Sequence, residues 1–198
     1  MLTPRDIITI SFSCDEQGLV EDMARQCWLG SDDAQHATRG TQQQDSSQYI
    51  NDQIAGQYGE LALHMLFYGR TNGTDYYIQQ RAERNANKYA GDDGSDLWNP
   101  TRDSIRVDAK TSTMRYSRDP QDYTLIVRPR DWHDNTAYVL ILRPPDSHTV
   151  HIVGYAWTED LPEAIKSSGP FAGAYIKKAR FLRSVLHLGI VVKLQYRA

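Results

Sequence analysis

Gly91-Asp92-Asp93-Gly94-Ser95-Asp96-Leu97, followed by Arg106-Val107-Asp108-Ala109-Lys110, is the stretch on which the reading of this chain turns. Pro100 to Ser104 reads as a turn joining two strands, 95–99 and 105–113, with Arg102 at its centre. Asp96 and Asp108 are equidistant from Arg102, so the hairpin sets them opposite each other. Opposed residues on an antiparallel pair have Cβ atoms about 4.5–5.5 Å apart. Two carboxylates that close repel unless something neutralises them. A divalent cation does so, and hard ions such as Mg²⁺ take carboxylate oxygens. Strand alternation puts Arg106, Asp108, Lys110 and Ser112 on one face and Ile105, Val107, Ala109 and Thr111 on the other. The second face suits packing on a helix. The first carries two acids and an ammonium group once Asp96 is added, the set that metal-assisted phosphodiester hydrolysis requires.

Upstream, Ser46 or Ser47 is a suitable N-cap for a helix running to about Tyr68, with Ile50, Ile54, Tyr58, Leu61 and Met65 as its apolar stripe and Gly69 as its stop. Glu60 lies beside that stripe. Gly56 and Gly59 flank it, and each costs about 1 kcal/mol of helix propensity relative to Ala. Such a cost points either to close approach of a backbone or substrate, or to tight packing of helix on sheet. Tyr76 to Gln79 reads as a strand, and Arg81 to Tyr89 as a polar, basic lead into the glycine-rich loop. Tyr123 to Val127 reads as a strand. Ala137 to Leu142 is a continuous apolar run, the pattern of a strand buried on both faces. Val150 to Trp157 is its expected antiparallel neighbour, reached through Pro144-Pro145-Asp146-Ser147. Thr158 is expected to cap a short helix with Glu159 and Asp160 in its first turn, and Ile190 to Tyr196 to form a last strand.

Residues 1–45 read as an N-terminal appendage and polar linker: a strand near Ile7 to Phe12, a helix over Asp15 to Trp28, then a polar stretch containing Gln42-Gln43-Gln44. Residues 46–198 form the main domain. A chain of 198 residues with 40% hydrophobic content is enough for one α/β core. Cys14 and Cys27 provide neither a disulfide framework nor a zinc site and are expected as free thiols. The chain shows no basic leader running into an apolar stretch and no run of about 18 apolar residues, so a cytoplasmic location is expected. The net charge of −3 argues against a general nucleic-acid coat protein, though not against an enzyme with a local basic surface.

The ordered set Glu60, Asp96, Asp108 and Lys110 resembles the PD-(D/E)XK nuclease superfamily. Asp96 matches the first acid, Asp108-Ala109-Lys110 the (D/E)-x-K tripeptide, and Gly56-Gln57-Tyr58-Gly59-Glu60 the place of the upstream helical glutamate. The glycine-rich approach to Asp96 and the following Thr111-Ser112-Thr113 resemble small nucleases of phages and mobile elements, which would place the protein in a host cytoplasm. The proline that names the superfamily is replaced by Ser95. The resemblance covers about residues 47–196. It implies a restriction-endonuclease-like α/β fold, a mixed central sheet of about five strands flanked by helices, and cleavage leaving a 5′-phosphate.

The expected function is Mg²⁺-dependent hydrolysis of phosphodiester bonds in DNA, with endonuclease action as the first expectation and Mn²⁺ as a substitute ion. Asp96 and Asp108 would hold the metal, with the Ala109 carbonyl as a further ligand. Lys110 would orient or deprotonate a water, or stabilise charge on the phosphate. Glu60 would hold a second ion or position Lys110. Asp92 and Asp93 compete as ligands but are better read as shaping the loop. His64, one turn after Glu60, reads as a hydrogen-bond partner, and His133, His148 and His151 share no metal-binding spacing. Arg106, Lys177, Lys178 and Arg180 are candidate phosphate contacts. Cutting both strands would suit a homodimer. The alternatives are a non-catalytic nucleic-acid-binding or assembly module on the same fold, and a hydrolase of another phosphoester.

Overall fold

A computed structural model describes residues 2–29, 46–86, 96–97, 106–145, 147–161 and 173–188. The centre is a mixed four-stranded sheet. Its strands are β1 (Ile8–Ser11), β2 (Arg106–Thr113), β4 (Thr136–Arg143) and β5 (Thr149–Trp157), in the order β1-β5-β4-β2. β1 and β4 run antiparallel to β5, while β2 runs parallel to β4 with Asp108 beside Tyr138 and Lys110 beside Leu140. A second, two-stranded antiparallel sheet pairs β3 (Thr124–Val127) with β6 (Tyr175–Lys178). Against the expected sheet of about five strands, the described residues hold four strands plus a separate pair.

β4 explains the layering. Its seven residues from Thr136 to Leu142 are all buried, as the unbroken apolar run requires. Ala137, Val139 and Ile141 join one core cluster with Val107, Tyr58, Leu61 and Leu63. Tyr138, Leu140 and Leu142 join the other, with Leu125, Val127 and Ala179. One sheet face is thus covered by helices α1 (Cys14–Leu29), α2 (Ser46–Tyr68) and α3 (Arg70–Ala86), and the other by the β3–β6 pair. A register shift at Leu140/Ile141 lets β5 supply Val150, Ile152 and Tyr155 to the first core but Val153 and Ala156 to the second.

Residues 8–29, expected within an appendage, belong to this core. β1 extends the central sheet as an edge strand, and Phe12 and Val20 are buried with Tyr58. The apolar face of a short strand and a helix has nowhere else to be buried, and the Phe12 and Tyr58 rings meet edge to face at 4.9 Å. The polar stretch after Leu29 lies outside the described residues.

The expected strand Tyr76–Gln79 is instead the middle of α3. Gly73, Tyr77, Gln80 and Arg81 are buried at helical spacing, while Ile78 and Gln79 face solvent. The aromatic and β-branched residue types there suggest a strand, but packing on α2 decides for a helix. Gly69, at φ +83°, ends α2 and lets α3 begin one residue later. The helix expected after Thr158 is a single 3-10 turn, Thr158–Asp160, capped through Asp160 Oδ2 accepting from the Trp157 N–H. The Thr158 hydroxyl donates to the His133 carbonyl instead. The expected strand Ile190 to Tyr196 lies outside the described residues, as do Asp92 and Asp93. Among the described residues no helix is long and apolar enough to cross a membrane.

Candidate metal centre

The site is built along the edge of β2 that is turned away from β4. The Asp96 N–H donates to the Val107 carbonyl at 2.7 Å, and Asp96 Oδ2 accepts from the Ala109 N–H at 2.8 Å. The chain at Asp96–Leu97 is a bend, and the rest of the expected strand 95–99, with the turn at 100–104 that follows it, lies outside the described residues. Asp96 thus meets β2 between Val107 and Ala109. Asp96 is near enough to Asp108 for its charge to raise the Asp108 carboxyl.

Strand alternation holds for the rest of β2. Val107 and Ala109 pack towards the helices, and Asp108 and Lys110 face the side on which Tyr138 lies. Gly59 on α2 fixes how closely that helix approaches: a Cβ there would sit 1.9 Å from Thr111 Oγ1. Helix–sheet packing therefore accounts for this glycine. Around Gly56 there is open space for a side chain.

Asp108 is buried, with 7% of its surface exposed. Burial first, then the neighbouring Asp96 charge, pushes its carboxyl up to about 8, against the pull of Lys110. Lys110 Nζ lies 2.8 Å from Asp108 and 3.5 Å from Asp131. Burial alone would lower the ammonium, but the carboxylates around it outweigh burial and hold Lys110 above the ordinary lysine value. Its Nζ also stands 5.8 Å from the centre of the Tyr138 ring, a cation–π contact. The Tyr138 hydroxyl donates to the Asp131 carbonyl at 2.9 Å, tying the ring to the turn that presents Asp131. Sequence reading omits Asp131 and Tyr138. Pro129 and Asp131 mark a turn, but nothing in the sequence shows that β4 pairs in parallel with β2 and brings that turn alongside Lys110.

Glu60 lies on the helix that packs on the opposite face. It is buried, and its carboxylate pairs with Arg81 and with Arg84 at 3.4 Å. Arg84 also reaches Asp96 at 3.4 Å. The structure thus joins Glu60 to Asp96 through a guanidinium group, and Glu60, expected among the metal ligands, is engaged by two arginines. Among the described residues no group of three or more His, Cys, Asp or Glu stands where it could hold a metal ion. His64 Nδ1–H donates to the Glu60 carbonyl at 2.8 Å, and burial drops the imidazole to about 3, so it stays neutral and holds the helix. This is the partner role expected for it.

Asp96 and Asp108 suit a small hard cation by donor chemistry. Asp108 has the Asp96 charge beside it, and Asp96 Oδ1 lies 3.4 Å from Arg84. The Val107 carbonyl and Ala109 N–H both serve Asp96, and strand geometry turns the Ala109 carbonyl to the same edge.

The four basic candidates are dispersed. Arg106 is exposed at the start of β2, Lys177 donates to the Asp160 carbonyl at 2.9 Å, Lys178 is exposed, and Arg180 lies over the Phe181 ring. Comparison with protein-family models, with curated proteins and with solved structures returned no match.

Proposed function

We propose that this chain is a metal-dependent nuclease that hydrolyses phosphodiester bonds in DNA as an endonuclease, on a restriction-endonuclease-like sheet. One observation carries the reading: buried Asp108 pairs with Lys110 at 2.8 Å and is pushed up to about 8, by burial first and by the Asp96 charge second. Carboxyl groups so strongly raised cluster at functional sites, where a bound cation can take the place of the proton.

Mg²⁺, or Mn²⁺ in its place, would be held by Asp96, Asp108 and the Ala109 carbonyl, and would supply charge neutralisation at the scissile phosphate. Lys110 is a cation at neutral pH, so its role is to hold the phosphate and stabilise charge that develops on it. Asp131 and Tyr138 orient the ammonium group. Arg84 steadies Asp96. The reading carries with it a cytoplasmic location, where nucleic acid is met, and a homodimer for cutting both strands.

A second reading, a nucleic-acid-binding or assembly module without activity, is favoured by one feature: Arg84 supplies Asp96 with a charge partner of its own. Incubating the protein with circular and linear, single- and double-stranded DNA and RNA in Mg²⁺, Mn²⁺ or Ca²⁺ separates the two. The nuclease reading expects cleavage in Mg²⁺ and Mn²⁺, including of circles, and binding without cleavage in Ca²⁺, whose looser coordination positions reactants poorly. Intact substrate in every lane favours the module.

A further inference from the structure

β2 and β4 are the parallel pair of the central sheet, and both end at the same place. The crevice outside the carboxyl ends of parallel strands is where open α/β sheets bind ligands. An open cleft of about 610 Å³ lies there, lined by Met114, Arg115, Tyr116, Arg118, Pro145 and His151. It is remote from the Asp96–Asp108 centre but continues the same strand. Lys110 to Met114 spans four residues, about 13 Å at roughly 3.3 Å per residue. That is about four steps of a stacked nucleic-acid strand at roughly 3.4 Å each.

The cleft presents an aromatic ring in an unusual way. Tyr116 is 70% exposed, yet it is held in place. One ring face stacks on buried Tyr123, with centroids 4.3 Å apart and planes at 26°. The Tyr123 hydroxyl accepts from the Tyr116 and Ser117 N–H groups and donates to the Ser117 carbonyl. A rigid ring left in solvent contributes little to the core and is preorganised for a flat partner. The charges beside it are positive. Arg118 is exposed, and Arg115 shares a 3.9 Å exposed contact with Asp52, which is weak enough to yield. Asp119 and Asp122 are turned to their own loop: Asp119 accepts from the Gln121 N–H, and Asp122 from the Ser117 hydroxyl. His151 is paired with the Thr9 hydroxyl, and burial lowers its imidazole, so it adds no charge.

We infer that this cleft receives an unpaired nucleotide of the DNA substrate, its base stacked on Tyr116 and its flanking phosphates met by Arg115 and Arg118. Bases of single strands stack on exposed aromatic rings beside basic grooves, whereas paired bases keep both faces covered. The inference rests on the nuclease reading for its choice of nucleic acid, and it narrows the substrate to DNA with a single-stranded segment running along β2 from the metal centre.

The test is fluorescence anisotropy in Ca²⁺ with a short labelled oligothymidylate and with a blunt duplex, using the full chain. The parent should bind the single strand at least about ten-fold tighter than the duplex. Tyr116→Ala should weaken single-strand binding about ten-fold, and Tyr116→Phe should leave it unchanged, because stacking needs the ring and not the hydroxyl. Arg115→Ala with Arg118→Ala should flatten the salt dependence of binding. Thermal melts check that each variant is folded. Parental binding by Tyr116→Ala, equal losses in the Ala and Phe variants, or equal affinity for strand and duplex each overturns the inference. The nuclease reading is judged separately: cleavage with Tyr116→Ala unaffected sinks only the cleft, and Tyr116-dependent binding without cleavage in any metal sinks only the nuclease.

Discussion

On the helix side of β2, the Glu60 carboxylate meets two guanidinium groups, Arg81 and Arg84, and is fully compensated within the protein. On the other side, Asp108 meets one ammonium group and a second carboxylate, Asp96. Both acids are nearly buried, and both occupy positions that a nuclease signature would use. The difference teaches that two equally buried acids can be balanced in different ways: Glu60 by two guanidinium groups, and Asp108 by an ammonium group and by a proton that it keeps up to about pH 8 beside a second acid.

The strongest way to break this comparison is Lys110→Ala. Under the nuclease reading it should cut the cleavage rate by about 10²–10⁴-fold, the usual range for a positioned proton-transfer or charge-stabilising group. Circular dichroism should show a folded protein. Parental cleavage by the folded variant would remove Lys110 from the site.

Glu60→Gln tests the other half. It leaves Arg81, a buried guanidinium, without its carboxylate partner, and breaking such a pair costs about 3–5 kcal/mol. Chemical denaturation should show that loss, while Mn²⁺ affinity of the folded fraction changes little. A variant of parental stability that loses metal binding would return Glu60 to the ligand set.

Metal linkage with pH sharpens the Asp96–Asp108 side. The folded carboxyl of Asp108 is raised to about 8 from the ordinary 3.8. Its contribution to stability is therefore fully present below about 3.8 and is lost as pH rises through 8. The metal-free protein should melt lower at pH 9 than at pH 6. Saturating Mn²⁺ should oppose that loss, by about 2.7 kcal/mol at a hundred-fold excess over the dissociation constant. Asp108→Asn should abolish the metal effect and make the metal-free melt less sensitive to pH across that window. Equal Mn²⁺ affinities by titration calorimetry would dismiss Asp108 as a ligand.

The smallest expected effect belongs to Gly59→Ala. Helix propensity favours alanine by about 1 kcal/mol. The new Cβ would overlap the buried Thr111 side chain, and overpacking costs about 1–3 kcal/mol. A net destabilisation of about 1 kcal/mol should appear, and Thr111→Ser in the same background should not relieve it, because the overlap is with Oγ1. A stabilised Gly59→Ala would show that α2 is free to shift on the sheet.

Local pattern was enough for much of this chain. The helix ending near Tyr68, the doubly buried β4, its antiparallel neighbour β5 and the alternation of Asp108 and Lys110 with Val107 and Ala109 follow from period and composition alone. The hairpin turn from which Asp96 and Asp108 are counted lies outside the described residues. Tertiary structure decided the rest. Tyr76–Gln79 became helix because Tyr77 is buried against α2, and burial outweighs the strand preference of aromatic residues. Ile8–Ser11 joined the central sheet because an edge of β5 was open to it. Asp131 and Tyr138 came to Lys110 through a parallel pairing between strands 30 positions apart in register, Asp108 with Tyr138. Arg81 and Arg84 came to Glu60 because α3 folds back on α2. Sequence specifies which residues share a strand face or a helix stripe, since those periods are local. Which charges meet across elements depends on packing, and here packing set Glu60 against two guanidinium groups and Asp108 between an ammonium group and a second acid.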